Sequence, residues 1–304
     1  MTIPPIAYAG EPGAFAEDAV LAAFGDVART PFGSFRDVFS AVAAGDATAE
    51  AGVAGVVPIE NVINGTVREN YDLLLEYDLQ IVGEVVVPVR LCLAALPGQR
   101  LDDIERVYSH IQALGQAEAF LRARPWQLLS TYNTASAGKS IADRGEQGAA
   151  AVLSPRAAGL FGLQILADEI GDLPGNRTRF VVLANSQGGP GAIGTRPPTT
   201  TTRPRPPTPT PAAQLDAARR TTLVLAVRNE PGTLLAVLRV FAEHGLNMSK
   251  LESRPSRERA WEYVFWVDLD ADASTPATRA ALADLAGVTT MIRVLGSYPK
   301  AREA

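Results

Sequence analysis

The sequence has one cysteine, Cys92, and two histidines, His110 and His244, among its 304 residues. A lone cysteine excludes an intramolecular disulfide framework. So few soft ligands leave no zinc-type spacing, and no metal is expected. An excess of positive charge is also missing, since 28 Lys and Arg face 33 Asp and Glu for a net charge of −5. Nucleic-acid binders need a basic face, so that class of partner is set aside. No apolar stretch reaches membrane-spanning length, because VGEVVVPVRLCLAALPG is interrupted by Glu84, Pro88 and Arg90. The opening MTIPPIAYAG carries neither the basic start nor the apolar core of a secretory signal. These absences predict a cytoplasmic protein that makes no membrane contact. What is there, 47% hydrophobic and 20% charged residues, is ordinary globular composition at a length that suggests two domains or three lobes.

The clearest landmark is QGGPGAIGTRPPTTTTRPRPPTPTP, residues 187–211, in which eight of 25 residues are Pro, seven are Thr and none is acidic. Such a stretch buries too little apolar surface to offset its ordering entropy and reads as a semi-extended linker. The chain is thereby divided into residues 1–185, a linker over 186–213, and a compact segment over 214–304.

In the first part, strand and helix signals alternate. Ile6 to Ala9 reads as a strand, followed by a Gly10-Glu11-Pro12-Gly13 turn and a helix from Phe15 to Phe24. Ser34 and Asp37 form a capping pair for a helix whose apolar face is Phe35, Val38, Phe39 and Val42, with Gly45 at its end. Val53 to Val57 and Glu84 to Leu96 read as strands, and Leu114, Ala117 and Leu121 mark a helix face. Ser154-Pro155 opens a further helix that Gly162 closes. The alternation predicts an α/β sandwich with a mainly parallel sheet. The C-terminal segment reads βαββαβ, with strands at 222–227, 247–252, 261–269 and 289–295 and helices at 233–244 and 276–286. That is a ferredoxin-like plait, and Gly245 closes its first helix.

Four polar clusters fall at element ends, where open α/β sheets place their ligands. They are the Gly10–Gly13 turn, Glu60-Asn61 after a buried strand, Ser109 to Gln116, and Asn176-Arg177-Thr178-Arg179 ahead of an apolar strand. Each also has a structural reading: a tight turn, a capping pair, a satisfied histidine, a solvated strand mouth. None supplies a nucleophile with its base, a pair of catalytic carboxylates or a phosphate-binding loop. Amides, hydroxyls and arginines suit an anionic substrate that needs binding and one hydrogen bond while its own chemistry drives the reaction.

Taken in order, VPIEN-x-x-x-G-(S/T)-V, SH-x-Q-x-x-x-Q, N-x-TRF and ESRP run across nearly the whole chain. This set resembles the prephenate dehydratase family. The resemblance implies a two-lobed domain similar to type II periplasmic binding proteins, followed by an ACT regulatory domain. Members remove water and carbon dioxide from prephenate to give phenylpyruvate on the way to L-phenylalanine, and no cofactor is implied. Plant-type relatives convert arogenate directly to phenylalanine, and NYDLLLEYDLQIVGEVVVPVRLCLAALPG (70–98) is similar to that branch. By resemblance, Thr178 hydrogen-bonds or protonates the leaving hydroxyl. Asn61 and Gln116 orient the substrate, Glu60 and Ser109 support them, and Arg179 pairs with a carboxylate. Val62, Ile111, Ala14 and Ala16 depart from the family pattern, Val62 where Ser is usual and Ile111 where Pro is usual.

The same resemblance places a phenylalanine effector on Gly232, Thr233 and Leu234 at a helix start and on Glu252, Ser253 and Arg254. It further implies a homodimer or homotetramer. A rival of another class is a non-catalytic amino-acid-binding protein on the same scaffold, which the retained Thr178 disfavours.

Overall fold

The structure, a computed structural model, describes residues 5–45, 54–185, 218–255 and 263–301. The expected linker therefore lies outside the described residues, as do Val53, Trp261 and Glu262 at the starts of two expected strands.

The first lobe is built from β1 (Ile6–Ala9), α1 (Phe15–Phe24), β2 (Arg29–Phe32), α2 (Phe35–Ala44), β3 (Ala54–Asn61), the two-residue β4 (Gly65–Thr66), α3 (Arg68–Glu76) and β5 (Leu79–Pro88). The chain then enters a second lobe: β6 (Cys92–Ala95), β7 (Arg106–Ser109), α4 (Ile111–Gln116), α5 (Glu118–Arg122), β8 (Gln127–Ser130), α6 (Thr134–Arg144), β9 (Ala149–Leu153), α7 (Pro155–Leu160) and β10 (Gln164–Ala167). It returns through β11 (Arg177–Asn185), which inserts between β3 and β5.

Both lobe sheets are mixed rather than mainly parallel. β1, β2 and β3 run parallel, but β11 is antiparallel to β3 and β5. In the second lobe β7 is parallel to β8 and β9, whereas β6 is antiparallel to β9 and β10. The cause is the double crossing: a chain that leaves one sheet and comes back must lay down its return strand against the original direction. The apolar run Glu84 to Leu96 is likewise two strands in two sheets, broken between Pro88 and Cys92. The two crossovers meet where the Val89 N–H donates to the Asn176 carbonyl at 2.9 Å.

Local signals explain the helix ends. The Ser34 hydroxyl accepts the Asp37 N–H at 3.1 Å, and the Ser154 hydroxyl accepts the Ala157 N–H at 3.1 Å with Pro155 at the first helical position. Cys92 is wholly buried, and burial pushes its thiol up to about 12, so it is an inert packing residue.

The C-terminal plait consists of β12 (Arg219–Ala226), α8 (Thr233–Glu243), β13 (Met248–Pro255), β14 (Tyr263–Leu269), α9 (Pro276–Val288) and β15 (Met291–Pro299), in sheet order β13-β14-β12-β15. Strand alternation sorts its residues into two faces. Leu223, Leu225, Val267 and Leu269 pack under α8 and α9. Val224, Ala226, Val264, Trp266, Leu295 and Tyr298 pack instead with Phe39, Tyr71, Leu79 and Ile81 of the first lobe. Tyr71 meets Trp266 edge-on at 4.5 Å. The plait is thus cored on both faces, once by its own helices and once by the first lobe.

Candidate active site

Between the lobes lies a cleft of about 550 Å³ lined by Asn61, His110, Gln112, Gln116 and Thr178. Its position follows from the ends of β3 and β11, which deliver the opposed pair Asn61 and Thr178 to the lobe boundary. The Asn61 side-chain amide donates to the Thr178 hydroxyl oxygen at 2.9 Å, to Asn176 Oδ1 at 2.8 Å and to the Arg177 carbonyl at 3.1 Å. Its carbonyl oxygen accepts the N–H groups of Ile63 and Asn64, which locks the amide's orientation. Asn176 in turn donates to Gln116 Oε1 at 2.9 Å, so a chain of amides spans the two lobes.

This arrangement fixes what Thr178 can do. A hydroxyl has one proton and two lone pairs. One lone pair is occupied by Asn61, and among the described residues no acceptor takes the proton. Thr178 is therefore preset as a donor into the cleft.

The cleft is walled by several helix starts and few charged side chains. Its walls include Phe15, Phe35, Arg68, Glu69 and Thr134, the opening residues of α1, α2, α3 and α6. Each of these helices has nine or more residues and brings a positive dipole end to the cavity wall, with α2 and α6 capped in part by Ser34 and Asn133. The starts of α1 and α3, at Ala14 and Val67, have no side-chain cap, and the Phe15 and Ala16 N–H groups have no acceptor among the described residues. Among the described residues, Arg68 adds the one guanidinium of the lining, and Glu69 its one carboxylate.

The lobes are joined at the rim. Gly13 packs against α7 so closely that a Cβ there would stand 3.0 Å from the Ala157 methyl. Glu17 accepts the Gly13 N–H at 2.7 Å and pairs with Arg29 at 2.6 Å and Arg156 at 2.7 Å. Burial opposes the Glu17 charge, but these three donors hold its carboxyl below the usual carboxylate range. The Tyr132 hydroxyl donates to the Gly33 carbonyl on the opposite lobe.

Of the residues expected from sequence, Thr178, Asn61 and Gln116 come together in the cleft. Glu60, Ser109 and Arg179 do not line it. Ser109 is fully buried and donates to the Val152 carbonyl at 2.6 Å, tying β7 to β9. Glu60 and Arg179 are strand neighbours of Asn61 and Thr178, so alternation turns them to the opposite side of the sheet. There Arg179 pairs with Glu60 at 3.1 Å, Glu84 at 3.3 Å and Asp268 at 2.8 Å. Asn176 belongs to the fourth polar cluster but carries no expected role, although its place two before Thr178 puts it on the same face.

Gly232, Thr233 and Leu234 stand at the start of α8, as expected, with Gly232 in the left-handed region at φ 86°. Glu252 and Arg254, by contrast, turn toward the first lobe. Glu252 accepts from Thr66 and pairs with Lys250, while Arg254 pairs with Asp72 at 3.2 Å and donates to the Arg68 carbonyl at 2.9 Å. Ser253 lies on the outward side of β13. Val62 and Ile111, the departures from the family pattern, are solvent-exposed.

His110 lines the cleft and caps α4, its Nδ1 accepting the Gln112 N–H at 3.3 Å. Burial lowers its pKa, so the fold keeps the ring neutral where an unfolded chain starts to protonate. Below about pH 6.5 the unfolded state binds more protons, and stability should fall as pH drops through that window. Urea denaturation at about pH 7.5 and about pH 5.5 checks this. His110→Asn should lose less stability between the two than the unmodified protein, and an equal loss would remove His110 from the account.

Comparison with known proteins places this cleft in context. A family model described as Prephenate dehydratase matches residues 6–188, and one described as ACT domain matches residues 221–287. Arogenate dehydratase 5, chloroplastic, of Arabidopsis thaliana is 38% identical over 314 residues, covering 97% of this chain and 67% of that protein. The bifunctional chorismate mutase/prephenate dehydratase of Aquifex aeolicus is 36% identical over 299 residues, covering 97% and 74%. The crystal structure of a prephenate dehydratase in complex with L-Phe from Arthrobacter aurescens superposes with a TM-score of 0.78 at 30% identity, covering 98% of this chain and 90% of that one. The fold is thus mixed α/β, with two type II periplasmic-binding-like lobes and a C-terminal ACT domain.

Proposed function

Because the chain belongs to the prephenate dehydratase family, we propose that the cleft carries out the decarboxylative dehydration of prephenate to phenylpyruvate. The observation that carries this reading is the Thr178 hydroxyl, held as a donor by Asn61 in a cavity ringed by helix N-termini. Prephenate is a dianion whose ring becomes aromatic when carbon dioxide and water leave. The bond from the ring to its carboxylate breaks, its electron pair enters the ring, and the C–OH bond on the opposite carbon breaks. The departing hydroxyl takes up one proton, ultimately from water, and leaves as water. A threonine is too weak an acid to give up its proton outright, so Thr178 stabilises developing charge on the leaving oxygen by a preorganised hydrogen bond. Gln116 and Asn176 hold the ring and side chain in register while Asn61 fixes Thr178, and the helix starts with Arg68 receive the carboxylates.

A second reading, arogenate as substrate, is favoured by Glu69 on the cleft wall. Arogenate carries an ammonium where prephenate carries a keto group, and an acidic wall residue distinguishes the two. The test is side-by-side turnover of prephenate and arogenate. Glu69→Gln is expected to lower kcat/KM for arogenate relative to prephenate by about fivefold, the value of an exposed ion pair near 1 kcal/mol. An unchanged ratio would discard Glu69 as the discriminating residue, and no turnover of either substrate would favour a binding protein.

For the rest of the chain we place the catalytic part at 1–185, the linker at 186–213 and the regulatory part at 214–304, with L-phenylalanine as effector at the α8 start. The unpaired outer edge of β13 and the exposed Leu235 and Leu251 support association into dimers or tetramers. No helix among the described residues is long and apolar enough to cross a membrane. A lone, buried Cys92 is compatible with the reducing cytoplasm, where we place the protein.

A further inference from the structure

The last two rungs of the β3–β11 ladder are Glu60 opposite Arg179 and Asn61 opposite Thr178. They are set apart from the rest of the ladder by a register shift between Arg179 and Phe180, which leaves Ile59 as the extra residue of a bulge. Bulges loosen a ladder locally and re-aim the side chains beyond them. The tip carrying Asn61 and Thr178 is therefore free to change its twist unless something holds it.

Both strands of that tip are gripped from the C-terminal sheet, which is remote in sequence. Asp268 of β14 pairs with Arg179 at 2.8 Å, and Lys250 of β13 pairs with Glu60 at 3.1 Å. The grip is itself braced. Asp268 accepts from the Thr222 hydroxyl at 2.6 Å, and Thr222 bonds the Tyr298 hydroxyl at 2.7 Å. On the far side of Arg179, Glu84 accepts from Arg220 at 2.6 Å and from the Ala301 N–H at 2.9 Å.

These charges are nearly dry: the side chains of Glu84, Asp268 and Arg179 are 2%, 5% and 13% exposed. Burial opposes the Arg179 charge, yet Asp268 and its neighbours more than offset that and keep it ionised. A buried ion cluster gives little net stability over apolar packing, so its presence is better explained by the geometry it imposes. A cavity of about 320 Å³ adjoins the cluster, with Glu60, Asn61, Arg179, Lys250 and Asp268 in its lining. The same Asn61 that faces the catalytic cleft thus borders the interdomain network.

We propose that Asp268 and Lys250 are positioning residues for the reaction, holding the Glu60–Arg179 rung and through it the aim of the Thr178 hydroxyl. The C-terminal sheet is then part of the catalytic geometry even with no effector bound. This rests on the reading of Thr178 as the group that meets the leaving oxygen.

The test uses the full chain, with kcat and KM for both substrates referred to the folded fraction and a thermal melt for each variant. Lys250→Met keeps the stem of the lysine and removes its charge, while Asp268→Asn removes the charge facing Arg179. Each is expected to lower kcat about tenfold with KM changed less than about twofold, since small misplacements of a catalytic group are costly. Lys250→Arg should restore most of the loss. A purely structural role would lower the melting temperature and leave kcat per folded molecule unchanged. If Asp268→Asn does not fold, Lys250→Met decides alone. Wild-type kcat in folded Lys250→Met, beside an inactive Thr178→Ala, overturns the positioning role only. Turnover that survives Thr178→Ala overturns the reading of the site itself.

Discussion

Replacing Thr178 with alanine is expected to lower kcat by about a thousandfold, with KM changed by no more than a few-fold. Removing one preorganised donor from a developing oxyanion costs on the order of a hundred- to a thousandfold in kcat. In the proposed pose the loss falls on kcat, because the bond to the leaving oxygen strengthens only as the C–O bond breaks, while the carboxylates lie elsewhere, toward the helix starts and Arg68 of the lining. The fold should survive. Asn61 keeps its bonds to Asn176 Oδ1 and the Arg177 carbonyl, so no buried amide is orphaned. Thr178→Ser keeps the hydroxyl but loses the methyl that limits its rotation, and should lie between the two. Steady-state kinetics with a far-UV spectrum of each variant checks the series. Thr178→Ala with near-normal turnover would mean that the aromatising substrate expels its hydroxyl with help from another group.

The capped helices of this fold were legible in the sequence because their signals are local. Ser34, Ser154 and Gly245 act on backbone groups within one turn of themselves. The cleft was legible in part. Thr178, Asn61 and Gln116 were found through motifs, but Arg179 and Glu60 were expected beside them against a rule the sequence already contained. Neighbours on a strand face opposite ways, so Thr178 and Arg179 cannot both enter one cleft. The same period of two selects Asn176, which joins Gln116 to Asn61. The break between β5 and β6 had a local mark in Pro88, which ends β5, but nothing local showed that the second strand joins a different sheet. Illegible too was the seat of the C-terminal sheet, which depends on pairs such as Arg179 and Asp268 that are far apart in the chain. Its traces were charged residues inside apolar runs, Asp268 in FWVDL and Glu84 in VGEVVV.

That seat has a point of contact so close that a single methyl group should unsettle it. At Gly296 of β15, an added Cβ would lie 2.0 Å from the Ile81 carbonyl oxygen and 2.9 Å from the Ile81 carbonyl carbon. Both obstacles are backbone near the start of β5, so no side-chain rotation relieves the clash. Gly296→Ala must therefore push β15 off the first lobe and part the shared core of Ile81, Trp266, Leu295 and Tyr298. Overpacking of a rigid contact costs about 1–3 kcal/mol, which corresponds to a fall in melting temperature of roughly 2–5 °C for a protein of this size. A control separates contact from composition. Gly287 in α9 has open space where its Cβ would be, and Gly287→Ala should be neutral or slightly stabilising. Kinetics adds a second axis, because lifting β15 also withdraws the sheet that carries Asp268 and Lys250. Folded Gly296→Ala should accordingly lose kcat along with thermal stability. If it melted lower yet turned over at the normal rate per folded molecule, the C-terminal sheet would be a passive neighbour of the active site.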